Sequence, residues 1–222
     1  MKLLITGFTS KIAKELIKKI NAEVKVKIFT VGRQENSNYF CDFSKYSSIK
    51  NFIKNVIDKE QFDLIFLNHG ILLGKKALDL NEKKINEYMM VNCFSKIAIL
   101  EALTKHKNTN IVVTSSISSK EGSYDPIYAA TKAGVDSFRI RSGKSFDSSI
   151  RLNFISPGVI KDASMTTVRK DQDNIKAISI ATPSKELTSS HEVAKLAFYL
   201  LLYPGNIHCQ DIAINGGLSL NR

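Results

Sequence analysis

The chain has 222 residues, 43% hydrophobic and 24% charged, which is enough apolar material for the core of one α/β domain and too evenly mixed for a long disordered tract. The net charge of +11 raises nucleic acid as a partner, but the lysines are spread over successive helical stretches (Lys14, Lys18 and Lys19; Lys50 and Lys54; Lys83 and Lys84). They form no stripe with interleaved aromatics, so solvated faces are expected and nucleic acid is not. No run of about 18 apolar residues occurs and the N-terminus lacks signal-peptide features, which predicts a cytoplasmic protein outside the membrane.

In chain order, an apolar strand is predicted at 2–6, a helix at 11–20, strands at 24–31 and, briefly, 38–42, and a helix at 46–59. A strand at 63–67, a long helix at 82–105, a strand at 110–115, a helix at 126–144 and a strand at 150–155 follow. A helix at 191–202 and a strand at 211–214 complete the set. Strands alternating with amphipathic helices predict an α/β architecture over 1–222: a single-domain Rossmann fold, a doubly wound parallel sheet of about seven strands with helices on both faces. Such sheets bind ligands beyond the carboxyl ends of their strands. Residues 161–190 break the rhythm, and a polar connection of this length predicts a substrate-binding loop or lid.

Three cysteines, Cys41, Cys93 and Cys209, are odd in number and lack metal or redox spacing, so reduced core thiols are expected. Four histidines, His69, His106, His191 and His208, form no ligand pattern; isolated surface or loop positions are expected, and no metal.

After the first predicted strand stands Thr6-Gly7-Phe8-Thr9-Ser10-Lys11-Ile12-Ala13, a tight strand-to-helix turn whose amides suit a pyrophosphate, although a lone glycine turn reads equally well as structure alone. Tyr128 and Lys132 lie four apart on a predicted helix and so share a face, where an ammonium favours the phenolate of an acid/base group. Tyr46 and Lys50 have the same spacing and are taken as coincidence. What distinguishes the first pair is company. Ser115 and Ser116 end the 110–115 strand, where a hydroxyl can orient a carbonyl, and Asn92 interrupts the apolar stretch 89–94, where a buried amide needs partners.

With these motifs in their order, the chain resembles the short-chain dehydrogenase/reductase family over nearly its whole length. Thr6-Gly7 matches the cofactor turn, Asp42 the adenine-side aspartate, and Asn68-His69-Gly70 the N-A-G motif. Asn92, Ser116, Tyr128 and Lys132 match the catalytic tetrad, Asn153 through Gly158 the N-x-x-x-P-G segment, and Asn215-Gly216-Gly217 the terminal D-G-G. The resemblance implies that Tyr128 exchanges the hydroxyl proton, Lys132 favours its phenolate and holds the nicotinamide ribose, Ser116 positions the substrate oxygen, and Asn92 supports a water relay. It implies a cofactor site from Gly7, Thr9, Ser10, Lys11 and Ile12, from Arg33, Asp42 and Phe43, from Asn68, His69 and Gly70, and from Pro157, Gly158, Val159 and Ile160, together with Tyr128 and Lys132. It also implies a homodimer or homotetramer through the helices at 82–105 and 126–144.

Three departures stand out. Lys11 and Ala13 replace glycines, so the loop shifts or the lysine becomes a phosphate contact. The Ser116–Tyr128 interval is one residue short, which keeps Ser115 as the alternative serine. Asp162 replaces a threonine that often meets the carboxamide. At the end of the second strand Arg33, with no acidic residue beside it, favours NADP over NAD, while Glu35 keeps a ribose contact open. The expected reaction is hydride transfer between this cofactor and a ketone or secondary alcohol. Lys161, Arg169, Lys170 and Lys176 point to an anionic small-molecule substrate, acyl-carrier-linked or a sugar phosphate. A sugar-nucleotide epimerase or dehydratase, or a non-catalytic cofactor-binding regulator, are the alternatives.

Overall fold

The computed structural model describes residues 1–142, 145–167 and 172–221. Seven strands form one parallel sheet: β1 (Lys2–Thr6), β2 (Lys27–Gly32), β3 (Tyr39–Phe40), β4 (Leu64–Leu67), β5 (Asn110–Thr114), β6 (Arg151–Pro157) and β7 (Asp211–Ile214). Their spatial order is β3-β2-β1-β4-β5-β6-β7. β1 pairs with β2 on one side and β4 on the other, so strand order reverses beside it, where a doubly wound sheet opens a crevice.

Alternation along the strands builds two cores. Leu3 and Ile5, Leu64 and Phe66, and Val112 face the layer of α1 (Lys11–Glu23) and the C-terminal helix Ser190–Leu202. Leu4, Ile65, Leu67, Ile111 and Val113 face the other layer. That layer holds α2 (Tyr46–Phe52), α3 (Glu82–Tyr88), α4 (Ser95–Leu103), the short α5 (Ser118–Glu121) and α6 (Pro126–Ser142). The strands are apolar on both faces because both are covered.

Several boundaries differ from expectation for local reasons. α1 runs to Glu23 and ends where the Val24 N–H bonds Ile20 O, so β2 begins at Lys27 rather than 24. The helix expected at 46–59 changes to a π-helical turn at Ile53–Ile57, and the one at 82–105 is broken by a second such turn at Met89–Phe94, which carries Asn92. Within 161–190, where no regular element was expected, lie α7 (Ser164–Thr167) and α8 (Gln172–Ala181). The last helix, α9 (Ser190–Leu202), starts on a capping box between Ser189 and Glu192. Residues 143–144 of the predicted 126–144 helix lie outside the described residues.

His69 and His106 lie in loops, as expected, but are buried there, each ring finding a hydrogen-bond partner inside. Cys41 and Cys93 are core thiols as expected, whereas Cys209 is only half-buried. Among the described residues no helix is long and apolar enough to cross a membrane.

Candidate active site

A cleft of about 780 Å³ opens over the carboxyl ends of β1, β4, β5 and β6. Its floor begins at Gly7, whose φ of +64° and missing side chain are both required: a Cβ there would stand 2.8 Å from His69 Cα. Ser10 caps α1 by accepting from the Ala13 N–H, and it also accepts from Asn68 Nδ2 at 2.7 Å. The other end of the Asn68 amide accepts from Thr114 Oγ1 at 2.9 Å, so one side chain ties the turn after β1 to the end of β5. The first-turn amides of Lys11 and Ile12 have no partner among the described residues, and both residues line the cleft. Lys11 Nζ pairs with Asp162 Oδ2 at 3.0 Å. Partial burial opposes the Asp162 charge, but the Ser190 amide and Lys11 outweigh it and hold the carboxyl below the usual carboxylate range.

Beyond the end of β2, Arg33, Asp42 and Phe43 line the neighbouring part of the cleft. Asp42 accepts from the Ser44 amide and hydroxyl; burial opposes its charge, and these bonds with Arg33 and Lys45 more than offset that, lowering its pKa. Phe43 stacks on the His69 ring with centroids 3.9 Å apart. His69 Nδ1 lies 2.7 Å from Thr6 Oγ1 and Nε2 2.9 Å from Ser95 Oγ, which itself donates to Val91 O. The network therefore assigns the proton to Nε2. Burial, and after it the neighbouring Lys96 and Lys132 side chains, hold this imidazole well below the usual histidine range.

Opposite, α6 presents Tyr128 and Lys132 to the cleft on one face, with Lys132 Nζ 5.4 Å from the Tyr128 ring centroid. Lys132 is 4% exposed and donates to Thr114 O at 3.4 Å. Ser115 and Ser116 follow β5 and line the same space. Ser115 Oγ is buried without a partner, whereas Ser116 Oγ accepts from the Ser118 amide, leaving its own hydrogen to give. Pro157, Gly158, Val159 and Ile160 close the wall after β6.

Asn92 stands behind the cleft instead of lining it. Its amide accepts from Ile71 N at 2.8 Å and donates to Ile71 O at 2.9 Å, pinning the segment after β4. Thr9 and Gly70 line the cleft too, while Tyr46, 60% exposed, does not. Lys161 and Lys176 are exposed and outside the cleft lining; Arg169 and Lys170 lie outside the described residues.

Two residues went unnoticed in the sequence. Lys96, 1% exposed on α4, donates to Thr114 O at 2.8 Å, the carbonyl that Lys132 also uses. Asp125, fully buried, accepts from the Tyr128 amide at 2.9 Å, from Tyr88 Oη and from the Gly74 amide at 3.0 Å. A charge between the apolar stretches 89–94 and 97–100 was the available signal for Lys96. An Asp-Pro pair opening a helix was the signal for Asp125.

A strand-to-helix glycine turn, a switch-point cleft and a Tyr–Lys pair at its mouth define a dinucleotide-dependent oxidoreductase. Residues 1–219 match the family model described as Enoyl-(Acyl carrier protein) reductase, and the chain belongs to the short-chain dehydrogenase/reductase family. It is 23% identical over 188 residues to 2-dehydro-3-deoxy-D-gluconate 5-dehydrogenase of Bacillus subtilis (82% of this chain, 74% of that one). It is 26% identical over 240 residues to the NADP-dependent 3-hydroxy acid dehydrogenase of Schizosaccharomyces pombe (96% and 91%). A solved structure titled as a putative NAD(P)-dependent gluconate 5-dehydrogenase from Beutenbergia cavernae superposes with a TM-score of 0.85 at 18% identity, covering 99% of this chain and 96% of that one. Relatives named for NAD and for NADP both occur. The protein is thus an NAD(P)-dependent dehydrogenase/reductase.

Proposed function

We propose that the protein interconverts a ketone and a secondary alcohol with NADP in preference to NAD, and that Tyr128 is the group that gives or takes the hydroxyl proton. The observation that carries this reading is the placement of Tyr128 and Lys132 on one face of α6, both at the cleft, 5.4 Å from ammonium to ring centroid. The bound cofactor supplies or accepts the hydride. The unpartnered amides of Lys11 and Ile12, the glycine at position 7 and the segment after β6 are suited to hold the dinucleotide, with Asn68 and His69 fixing the turn from beneath. Lys132 favours the phenolate of Tyr128 by its charge. Ser116 holds the substrate oxygen: its hydrogen is free to donate, and the Ser115 hydroxyl is buried. Asn92 acts by fixing the segment after β4.

The NADP preference rests on Arg33 at the cleft beyond β2: the acid that shares this part of the cleft, Asp42, already accepts from the Ser44 amide and hydroxyl, and Glu35 lies outside the lining. For the substrate, the described lining on the α7–α8 side is neutral, with Met165, Thr166, Asn174 and Ile178. The charge argument for an anionic substrate therefore reduces to Arg169 and Lys170. For assembly, Phe94, 38% exposed, packs against Tyr46, and Met89, 43% exposed, opens the same π-helical turn, an apolar surface suited to a homodimer or homotetramer. A monomer by light scattering at micromolar concentration would contradict that assembly. The reading as a whole is tested by titrating the protein with NADPH and NADH and following nicotinamide absorbance across panels of ketones and secondary alcohols. Turnover is expected with at least one panel member, and tighter NADPH binding that narrows in Arg33→Ala. Equal affinities would remove the NADP assignment.

A further inference from the structure

Lys96 presents a problem of physical chemistry. Its side chain is 1% exposed, among the largest fully buried groups in the protein, and no carboxylate pairs with it among the described residues. Burying an amine this way is costly unless its hydrogen bonds are met. One N–H goes to Thr114 O at 2.8 Å, and Lys132 reaches the same carbonyl at 3.4 Å, so the two side chains share one acceptor. The groups facing Lys96 are His69 after β4, Cys93 on the adjoining π-helical turn and Lys132 on α6. Burial first, then the charge of Lys132, push its ammonium well below the usual lysine range, which favours the neutral amine. A neutral amine has a lone pair, and two ammonium groups in contact would repel. Lys132, with three donors, can then spend one on Thr114 O and one on Lys96, and is left with a single donor for the cleft.

We propose that Lys96 is a positioning residue for Lys132: its amine, anchored on Thr114 O, accepts a hydrogen bond from the Lys132 ammonium and so fixes that cation toward Tyr128. This deepens the reading above and rests on Tyr128 and Lys132 acting as a pair. The arrangement places a second lysine where an apolar residue would satisfy packing alone, since the flanking Ile97, Ala98 and Ile99 continue an apolar stretch.

The test needs no substrate. Tyrosinate absorbance is titrated against pH in the full chain, and the part of the signal that Tyr128→Phe removes is assigned to Tyr128. Lys96→Met and Lys96→Leu delete the acceptor while keeping an apolar side chain of comparable bulk; Lys96→Gln restores one acceptor and one donor. In the apolar variants the Tyr128 signal is expected to move to higher pH by about 0.5 unit or more, roughly a threefold loss of phenolate at fixed pH. Lys96→Gln should stay near the wild-type midpoint. The melting temperature of the apolar variants should hold or rise, because exchanging a buried amine for a well-packed apolar group is generally tolerated. An unchanged midpoint in a folded apolar variant overturns the proposal, and so does a shift to lower pH, which would mark Lys96 as a second buried cation. If both apolar variants fail to fold, Lys96 is a structural residue and the proposal falls. A Tyr128→Phe variant that keeps full turnover on a panel substrate sinks the parent reading instead, whatever the Lys96 variants do.

Discussion

Replacing Asp125 with Ala should destabilise the protein by about 2–4 kcal/mol, and the figure can be assembled from its contacts. Asp125 precedes Pro126 at the start of α6, and its Oδ1 accepts from the Tyr128 amide at 2.9 Å, the geometry of a helix N-cap worth about 1 kcal/mol. Its Oδ2 accepts from Tyr88 Oη at 2.5 Å, and the Tyr88 ring is fully buried, so removal strands a hydroxyl at a cost of about 1–3 kcal/mol. Burial, and then the bond to Asp125, push the Tyr88 phenol well above its usual range, which marks the contact as one between a neutral hydroxyl and a carboxylate. The amides of Gly74 and Lys75, only part-buried, can turn to water and add little.

For a chain of this size about 2–4 °C of melting temperature accompanies each kcal/mol, so thermal unfolding of Asp125→Ala should drop by roughly 5–15 °C. Asp125→Asn, which keeps the volume and one acceptor for the Tyr128 amide, should lose clearly less. Calorimetry on the three proteins decides. An alanine variant melting within about 2 °C of the wild type would refute the idea that this carboxylate joins the segment after β4 to the helix carrying Tyr128.

Tyr128→Phe keeps the ring and should leave the melting temperature nearly unchanged while lowering kcat on a panel substrate by about 10²- to 10⁴-fold; Tyr46→Phe, 60% exposed and outside the cleft, should have no effect. If the two variants lost activity equally, the assignment would be wrong. His69 gives a pH prediction: its folded-state pKa is depressed, so the unfolded chain binds the extra proton and stability falls as pH drops below about 6.5, by up to about 1.4 kcal/mol per unit. Melting temperature against pH should therefore slope less steeply below pH 6.5 in His69→Ala than in the wild type, even though the variant is less stable throughout; parallel slopes would show that His69 is not the titrating group.

The strands were legible because their period survives burial on both faces: Leu3 and Ile5 serve one core, Leu4 the other, and the run reads as apolar either way. What escaped was set by contacts distant in sequence or by a change of helical pitch. The π-helical turn at Met89–Phe94 leaves the apolar spacing of a long helix nearly intact, so only the structure reveals that it turns Asn92 back onto Ile71, 21 residues earlier. Arg33, Tyr128 and Lys132 could be singled out by local spacing. Asp125 was visible only as a helix opener before Pro126, because its other partners, Tyr88 and Gly74, come from segments 37 and 51 residues away.

Two of the departures from the family pattern turn out to be one feature. Lys11 stands where a glycine usually brings the backbone close to a pyrophosphate, and Asp162 where a threonine often meets the carboxamide; in the structure the two side chains pair at 3.0 Å. Lys11 is exposed and its side chain is drawn to Asp162, while the amides of Lys11 and Ile12 have no partner among the described residues. The other glycine replacement, Ala13, needs no compensation. Ala13 is fully buried in the core shared with Leu16 and Ile20, so the methyl group fits at that helix–sheet contact where a larger side chain would not. Asp162 also accepts from the Ser190 amide at 2.8 Å, at the start of α9. A phosphate arriving at the α1 N-terminus would therefore meet a Lys11 already engaged by Asp162.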